Sequence, residues 1–122
     1  MKALIVDDSS FIRSFLRALL ESHALECVEA ENGQVALDIL AGSTFGLALV
    51  DVNMPVMNGL EFVKRLRGNP EHKDMKVVMV TTEADHAFIE AALEFGADEY
   101  LMKPFDEESL LEKLQMVGLR QA

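Results

Sequence analysis

Three aspartates, a threonine and a lysine stand out because each closes or directly follows a short apolar run. The runs end in Asp7-Asp8, in Asp51 (then Val52-Asn53-Met54-Pro55), in Thr81-Thr82-Glu83 and in Lys103-Pro104-Phe105, and a fifth leads into Glu31-Asn32-Gly33. Singly, each residue has an ordinary reading: an acid ahead of a helix cap, a loop acid, a strand-end hydroxyl, a solvated lysine. Jointly they do not, because chance would scatter them over both ends of the runs. If the runs carrying Asp7-Asp8 and Asp51 are neighbours in a sheet, three carboxylates share one rim. Two carboxylates about 4 Å apart repel by about 4 kcal/mol at an effective dielectric near 20. One lysine cannot neutralise three acids, so either their pKa values rise or a cation binds. Oxygen donors without a nearby cysteine or histidine suit Mg²⁺ rather than zinc. Such an ion beside an ammonium, a hydroxyl and a nucleophilic carboxylate is equipment for phosphoryl transfer. The chain has neither G-x-x-x-x-G-K-[ST] nor G-x-G-x-x-G, so a nucleotide cradle is absent. The chemistry points to a domain that accepts a phosphoryl group without binding ATP.

The elements that must hold these residues are legible from hydrophobic spacing. Residues 3–6, 27–30, 47–50, 77–80 and 100–102 are short apolar runs, mostly without polar alternation. Strands covered on both faces read this way. The second run is weaker and more polar, as suits a strand near a sheet edge. Between the runs lie segments with helical spacing at 11–22, 35–40, 60–66, 84–95 and 107–117. In the first, Ile12, Phe15, Leu16, Leu19 and Leu20 form one stripe, with Ser9 or Ser10 available as a cap. Asn32-Gly33 and Asn58-Gly59 precede the second and third, and Gly96 suits the end of the fourth. Residues 68–76, with Asn69-Pro70, read as a surface loop. Five alternating strand–helix units predict an α/β fold: one parallel sheet with helices on both faces. In such a sheet ligands bind beyond the carboxyl ends of the strands, where all the singled-out residues fall.

Composition agrees with one domain spanning 1–122. Half the 122 residues are hydrophobic and 26% are charged, the balance of a globular protein. A formal charge of −10, from 21 acidic and 11 basic residues, opposes nucleic-acid binding. No apolar run approaches the ~20 residues that cross a bilayer, and the N-terminus lacks the pattern of a signal peptide. The lone Cys27 cannot form an internal disulfide, so a cytoplasmic location is expected. Cys27 reads as a buried small hydrophobe, Met79 and Met102 as core side chains. His23, His72 and His86 are too scattered for a local ligand motif and read as surface or helix residues.

The segments Val6-Asp7-Asp8-Ser9, Asp51-Val52-Asn53-Met54-Pro55-Val56-Met57-Asn58-Gly59, Thr81-Thr82-Glu83 and Tyr100-Leu101-Met102-Lys103-Pro104-Phe105 together resemble a response-regulator receiver domain. The resemblance runs from Lys2 to about Gly118 and is nearest to the free-standing chemotaxis type. It implies a five-stranded flavodoxin-like sheet of order 2-1-3-4-5. It implies Asp51 as phosphoacceptor, charged by a histidine kinase or a phosphotransfer protein. Mg²⁺ would be held by Asp8 and Asp51 through carboxylates, by Asn53 through its carbonyl, and by Asp7 largely through water. Lys103, ahead of a cis proline bond, would pair with the acyl phosphate, and Thr81 would hydrogen-bond the new phosphoryl oxygen. Tyr100 would then turn inward, altering the surface of the fourth helix, fifth strand and fifth helix for a downstream protein. Asn53 and Glu83 would tune dephosphorylation and suggest fairly rapid phosphate loss. By residue type alone, Gly59 is expected to allow the turn before the third helix and Met54-Pro55 to fix its geometry; Thr82, where the family often has a small residue, would shape access to the phosphorylation pocket.

Two other classes compete with this phosphorylation-controlled binding module. A stand-alone phosphatase with an aspartyl-phosphate intermediate commonly needs an acid two residues after its nucleophile, where this chain has Asn53. A flavin or nucleotide carrier of similar fold is disfavoured by acids where a phosphate loop belongs. The module itself catalyses at most its own phosphorylation and dephosphorylation and is not expected to be an enzyme.

Overall fold

The computed structural model describes residues 1–82, 85 and 87–118. Five strands, β1 (Lys2–Val6), β2 (Glu26–Ala30), β3 (Leu47–Asp51), β4 (Lys76–Thr81) and β5 (Glu99–Met102), alternate with five helices. These are α1 (Ser10–Glu21), α2 (Gly33–Leu40), α3 (Gly59–Arg67), α4 (Ala87–Glu94) and α5 (Glu107–Met116). The sheet is wholly parallel, in the order β2-β1-β3-β4-β5. The alternation predicts the parallel sheet with helices on both faces and the resemblance implies its flavodoxin-like order; the polar β2 lies at an edge. The start of α4 at residue 84 lies outside the described residues.

The apolar runs lack alternation because both sheet faces are covered. Leu4, Val6, Ala48, Val50, Val77 and Met79 face α2, α3 and α4, whose Ala36, Leu40, Phe62, Val63, Leu66, Ile89 and Ala92 complete one core. The alternate strand residues, Ala3, Ile5, Leu47, Leu49, Val78 and Val80, pack with Leu16, Leu20, Leu110 and Leu114 of α1 and α5. Each large aliphatic side chain so buried contributes roughly 1.5–3 kcal/mol. Short polar caps set where the helices begin. The side chains of Ser9, Asn32 and Asn58 accept from the amides of Ile12, Val35 and Glu61, each satisfying an otherwise orphaned donor. Those caps start α1 and α2 within a few residues of the strand ends, and α3 after the longer connection from Asp51 to Gly59.

Three expectations need correcting. His72 is not a surface residue: it is 4% exposed, in a 3₁₀ turn (Pro70–His72), and its Nδ1 is buried without a partner. The loop around it is tied inward by Arg67, which donates to the carbonyls of His72 (2.8 Å), Met75 (2.7 Å) and Gly96 (2.9 Å) and to Asp98 (3.0 Å). Residues 68–76 are otherwise mostly exposed, as expected of a surface loop, with Met75 in the core. Met102 is only partly buried, because the edge position of β5 leaves it less covered than Met79. On α1, Phe15 is 39% exposed and tilts against Phe105 at 5.7 Å instead of joining the buried part of the stripe. His86 lies outside the described residues. Cys27 is buried as expected, and burial pushes its thiol up to about 11.

Candidate functional site

Hydrogen bonding continues one residue past three of the strands and fixes the backbone just beyond them. The Asp7 amide donates to the Ala30 carbonyl (3.1 Å), the Val52 amide to Val80 (3.1 Å) and the Lys103 amide to Thr81 (2.6 Å). β1 and β3 are neighbours, with Val6 opposite Val50, so Asp7 and Asp51 emerge side by side. Carboxylate oxygens of Asp7, Asp8 and Asp51 lie within 4.8 Å of one another. Asp7 and Asp51 are buried and Asp8 is exposed. Lys103 extends its ammonium between the two buried acids, 3.4 Å from Asp7 and 3.5 Å from Asp51. The Lys103–Pro104 bond is cis.

One ammonium does not balance this cluster. Burial, then the neighbouring Asp7 charge, pushes Asp51 up to about 6, although Lys103 and the Asn53 backbone amide pull the other way. Asp7 is also raised, chiefly by burial, against the opposing Ser9 amide (2.8 Å) and Lys103. An acid that resists ionisation among other acids has a surplus of negative charge that a cation relieves. The donor set fits a hard divalent ion: only oxygens, close enough together to share one centre, with Asp8 open to solvent. These three carboxylates are the residues that could hold it.

The remaining predicted residues do not all lie at this centre. Thr81, 1% exposed at the end of β4, donates its hydroxyl to the Thr82 carbonyl at 3.1 Å. Thr82 in turn donates to Asp85 at 3.0 Å. Asn53 is exposed beside Asp51, and Glu83 lies outside the described residues. Tyr100 stands away from the carboxylates on the edge strand β5, half-buried, with the Lys113 ammonium 4.7 Å from its ring centroid.

Two features escape sequence reasoning. Gly59 does not adopt a left-handed turn; its requirement is space. A Cβ there would collide with the Asp51 carbonyl oxygen and come within 3.0 Å of the Val52 Cα. The absent side chain lets α3 dock directly on the end of β3, and its amide donates to Val52 at 2.9 Å. Beside Lys103, an apolar hollow of about 420 Å³ opens between Phe11, Phe15 and Phe105. Phe11 is 76% exposed there. Phe11 lies outside the α1 stripe and Phe105 in the connection before α5, so of the three only Phe15 carries a periodic signature.

A parallel sheet with an acidic triad and a lysine at its carboxyl rim is the arrangement that the receiver-domain resemblance implies. Comparison with known proteins bears this out: the model of the response regulator receiver domain matches residues 3–115, and the chain belongs to that family. It is 42% identical over 119 residues to the chemotaxis protein CheY homolog of Campylobacter jejuni, covering 96% of this chain and 92% of that protein. It is 40% identical to the chemotaxis protein CheY1 of Helicobacter pylori, covering 96% of each. Among solved structures, chemotaxis response regulator CheY4 of Vibrio cholerae superposes with a TM-score of 0.89 at 39% identity, covering 95% of this chain and 97% of that one. The protein is thus a CheY-like receiver, a phosphoacceptor in signalling rather than an enzyme acting on an external substrate. Among the described residues no helix is long and apolar enough to cross a membrane.

Proposed function

We propose that Asp51 is the phosphoacceptor of a chemotaxis-type signalling pathway in the cytoplasm, charged by a histidine kinase or phosphotransfer protein. The observation that carries this is the position of Asp51: a buried carboxylate at a strand end, 3.5 Å from Lys103 and crowded by two further acids. Mg²⁺ is the ion this oxygen set suits; Asp8, Asp51 and the Asn53 carbonyl would hold it, and Asp7 would act through water. When bound it supplies positive charge to the phosphoryl oxygens. An Asp51 oxygen attacks phosphorus while the bond from phosphorus to the donor imidazole breaks, its electron pair staying on nitrogen. Lys103 remains paired with the resulting acyl phosphate. The Thr81 hydroxyl leaves the Thr82 carbonyl and donates to a phosphoryl oxygen, a stronger acceptor because it is charged. Tyr100 then turns inward and the face formed by α4, β5 and α5 changes for a downstream protein.

Asn53 and Glu83 set how quickly the phosphate is lost, and their match to the residues of the chemotaxis type supports a fairly short lifetime. The test uses acetyl phosphate with Mg²⁺ and intact-protein mass. Wild type should gain one phosphoryl group and Asp51→Asn none; an undiminished gain in the variant refutes the acceptor assignment. Phosphorylated lifetimes of many hours would refute the lifetime reading alone.

A further inference from the structure

Outside the acidic rim, an ion pair is built against the switch aromatic. The Lys113 ammonium of α5 lies 3.4 Å from Glu99 and 4.7 Å from the Tyr100 ring centroid. Neither partner is a loose surface group, their side chains being 21% and 17% exposed. The same Glu99 oxygen accepts the Tyr100 backbone amide at 2.9 Å. Glu99 is therefore pinned by the strand it belongs to, at the free edge of the sheet. It holds the ammonium where the π-face of the ring attracts it most. A lysine so fixed acts on one rotamer of the ring and not on another, because the attraction requires the cation to stay over the face.

We infer that Glu99 and Lys113 form a clasp that holds Tyr100 in its present orientation and so sets how much phosphorylation is needed to turn it. Lys113 is a positioning residue here, acting only through the ring. The inference rests on the reading of Tyr100 as the switch aromatic. A cation over a partly desolvated ring biases a two-state equilibrium by about five- to tenfold. When the resting state disfavours conversion by that factor, the apparent affinity for the converting ligand falls in proportion.

The chain has one tyrosine and no tryptophan, so ¹³C-labelled tyrosine yields a single set of ring signals belonging to Tyr100. The titrant is beryllofluoride with Mg²⁺, a stand-in for the phosphoryl group on Asp51. Lys113→Met, which keeps the apolar stem and removes the charge, should lower the beryllofluoride concentration for half-conversion of the ring signal about five- to tenfold. Lys113→Arg, which keeps a cation for the ring, should stay within about twofold of wild type. A merely structural role would shift the urea midpoint of both variants and leave half-conversion where it was. If the wild-type ring responds and Lys113→Met matches it within about twofold, the clasp is overturned while the switch reading stands. A wild-type ring signal indifferent to beryllofluoride overturns the switch reading and the clasp with it.

Discussion

Replacing Asp51 by asparagine should make the protein more stable, despite removing the centre of its site. The folded state holds the Asp51 proton to about 6, against 3.8 for an ordinary aspartate. At 1.36 kcal/mol per pH unit that gap corresponds to about 3 kcal/mol, and with the side chain only 9% exposed solvent screening relieves little of it. Because this pKa is raised by folding, the folded chain binds the proton more tightly than the unfolded chain between pH 4 and 6. Stability is therefore lost as pH rises through that window, and the full penalty applies above it. Asparagine has the same shape without the charge. In urea denaturation followed by far-UV circular dichroism, with chelator present, Asp51→Asn should gain up to about 3 kcal/mol at pH 7.5. At an m-value near 1.5 kcal/mol/M this is a midpoint shift of roughly 2 M. At pH 4 the gain should shrink below about 1 kcal/mol, since both folded proteins are then uncharged at this position. Millimolar Mg²⁺ should stabilise wild type by mass action and the variant much less. A variant less stable than wild type at pH 7.5, or a gain that does not vary with pH, would refute the picture of a carboxylate strained by burial and its neighbours.

The geometry dictates three further outcomes. Gly59→Ala forces a methyl against the Asp51 carbonyl; it should cost about 1–3 kcal/mol by urea denaturation and slow phosphorylation by acetyl phosphate. Arg67→Met keeps the stem but strips donors from three backbone carbonyls and Asp98. A loss of about 3 kcal/mol is expected, measured as a lower midpoint at unchanged m-value. Val56, 81% exposed, has φ +70° within a tight turn in which Met57 donates to the Pro55 carbonyl at 2.7 Å. Glycine adopts that backbone freely, so Val56→Gly should raise stability by about 1 kcal/mol, the strain relieved exceeding the entropy lost; thermal melting of the two proteins decides it.

The fold and the acidic rim could be read from the chain for the same reason. A strand covered on both faces is an unbroken apolar run, and the residue that ends it is where polarity resumes, so Asp7, Asp51, Thr81 and Lys103 announce both the strand ends and the site. The features that stayed hidden depend on contacts between residues distant in sequence. Arg67 meets carbonyls from the 3₁₀ turn and from the end of α4, and no period marks a side chain that crosses between elements. The burial of His72 follows from that crossing. Gly59 showed itself as a glycine, but only the packing of α3 on β3 reveals that the need is for space rather than for a turn. Glu99, Tyr100 and Lys113 combine an edge strand with a helix a loop away, and their alignment exists only once both are docked.

The thiol of Cys27, sealed in the core with its proton held to about 11, bears on how motion in this protein can be watched. At pH 7.5 only a few in ten thousand such groups are ionised, on the order of 10⁻³·⁵, and the ionised form is what attacks maleimides. The natural chain thus serves as a silent background for spectroscopic tags. A reporter cysteine introduced on the solvent side of α4 or α5 would take up dye or spin label alone, with the native residue left in place.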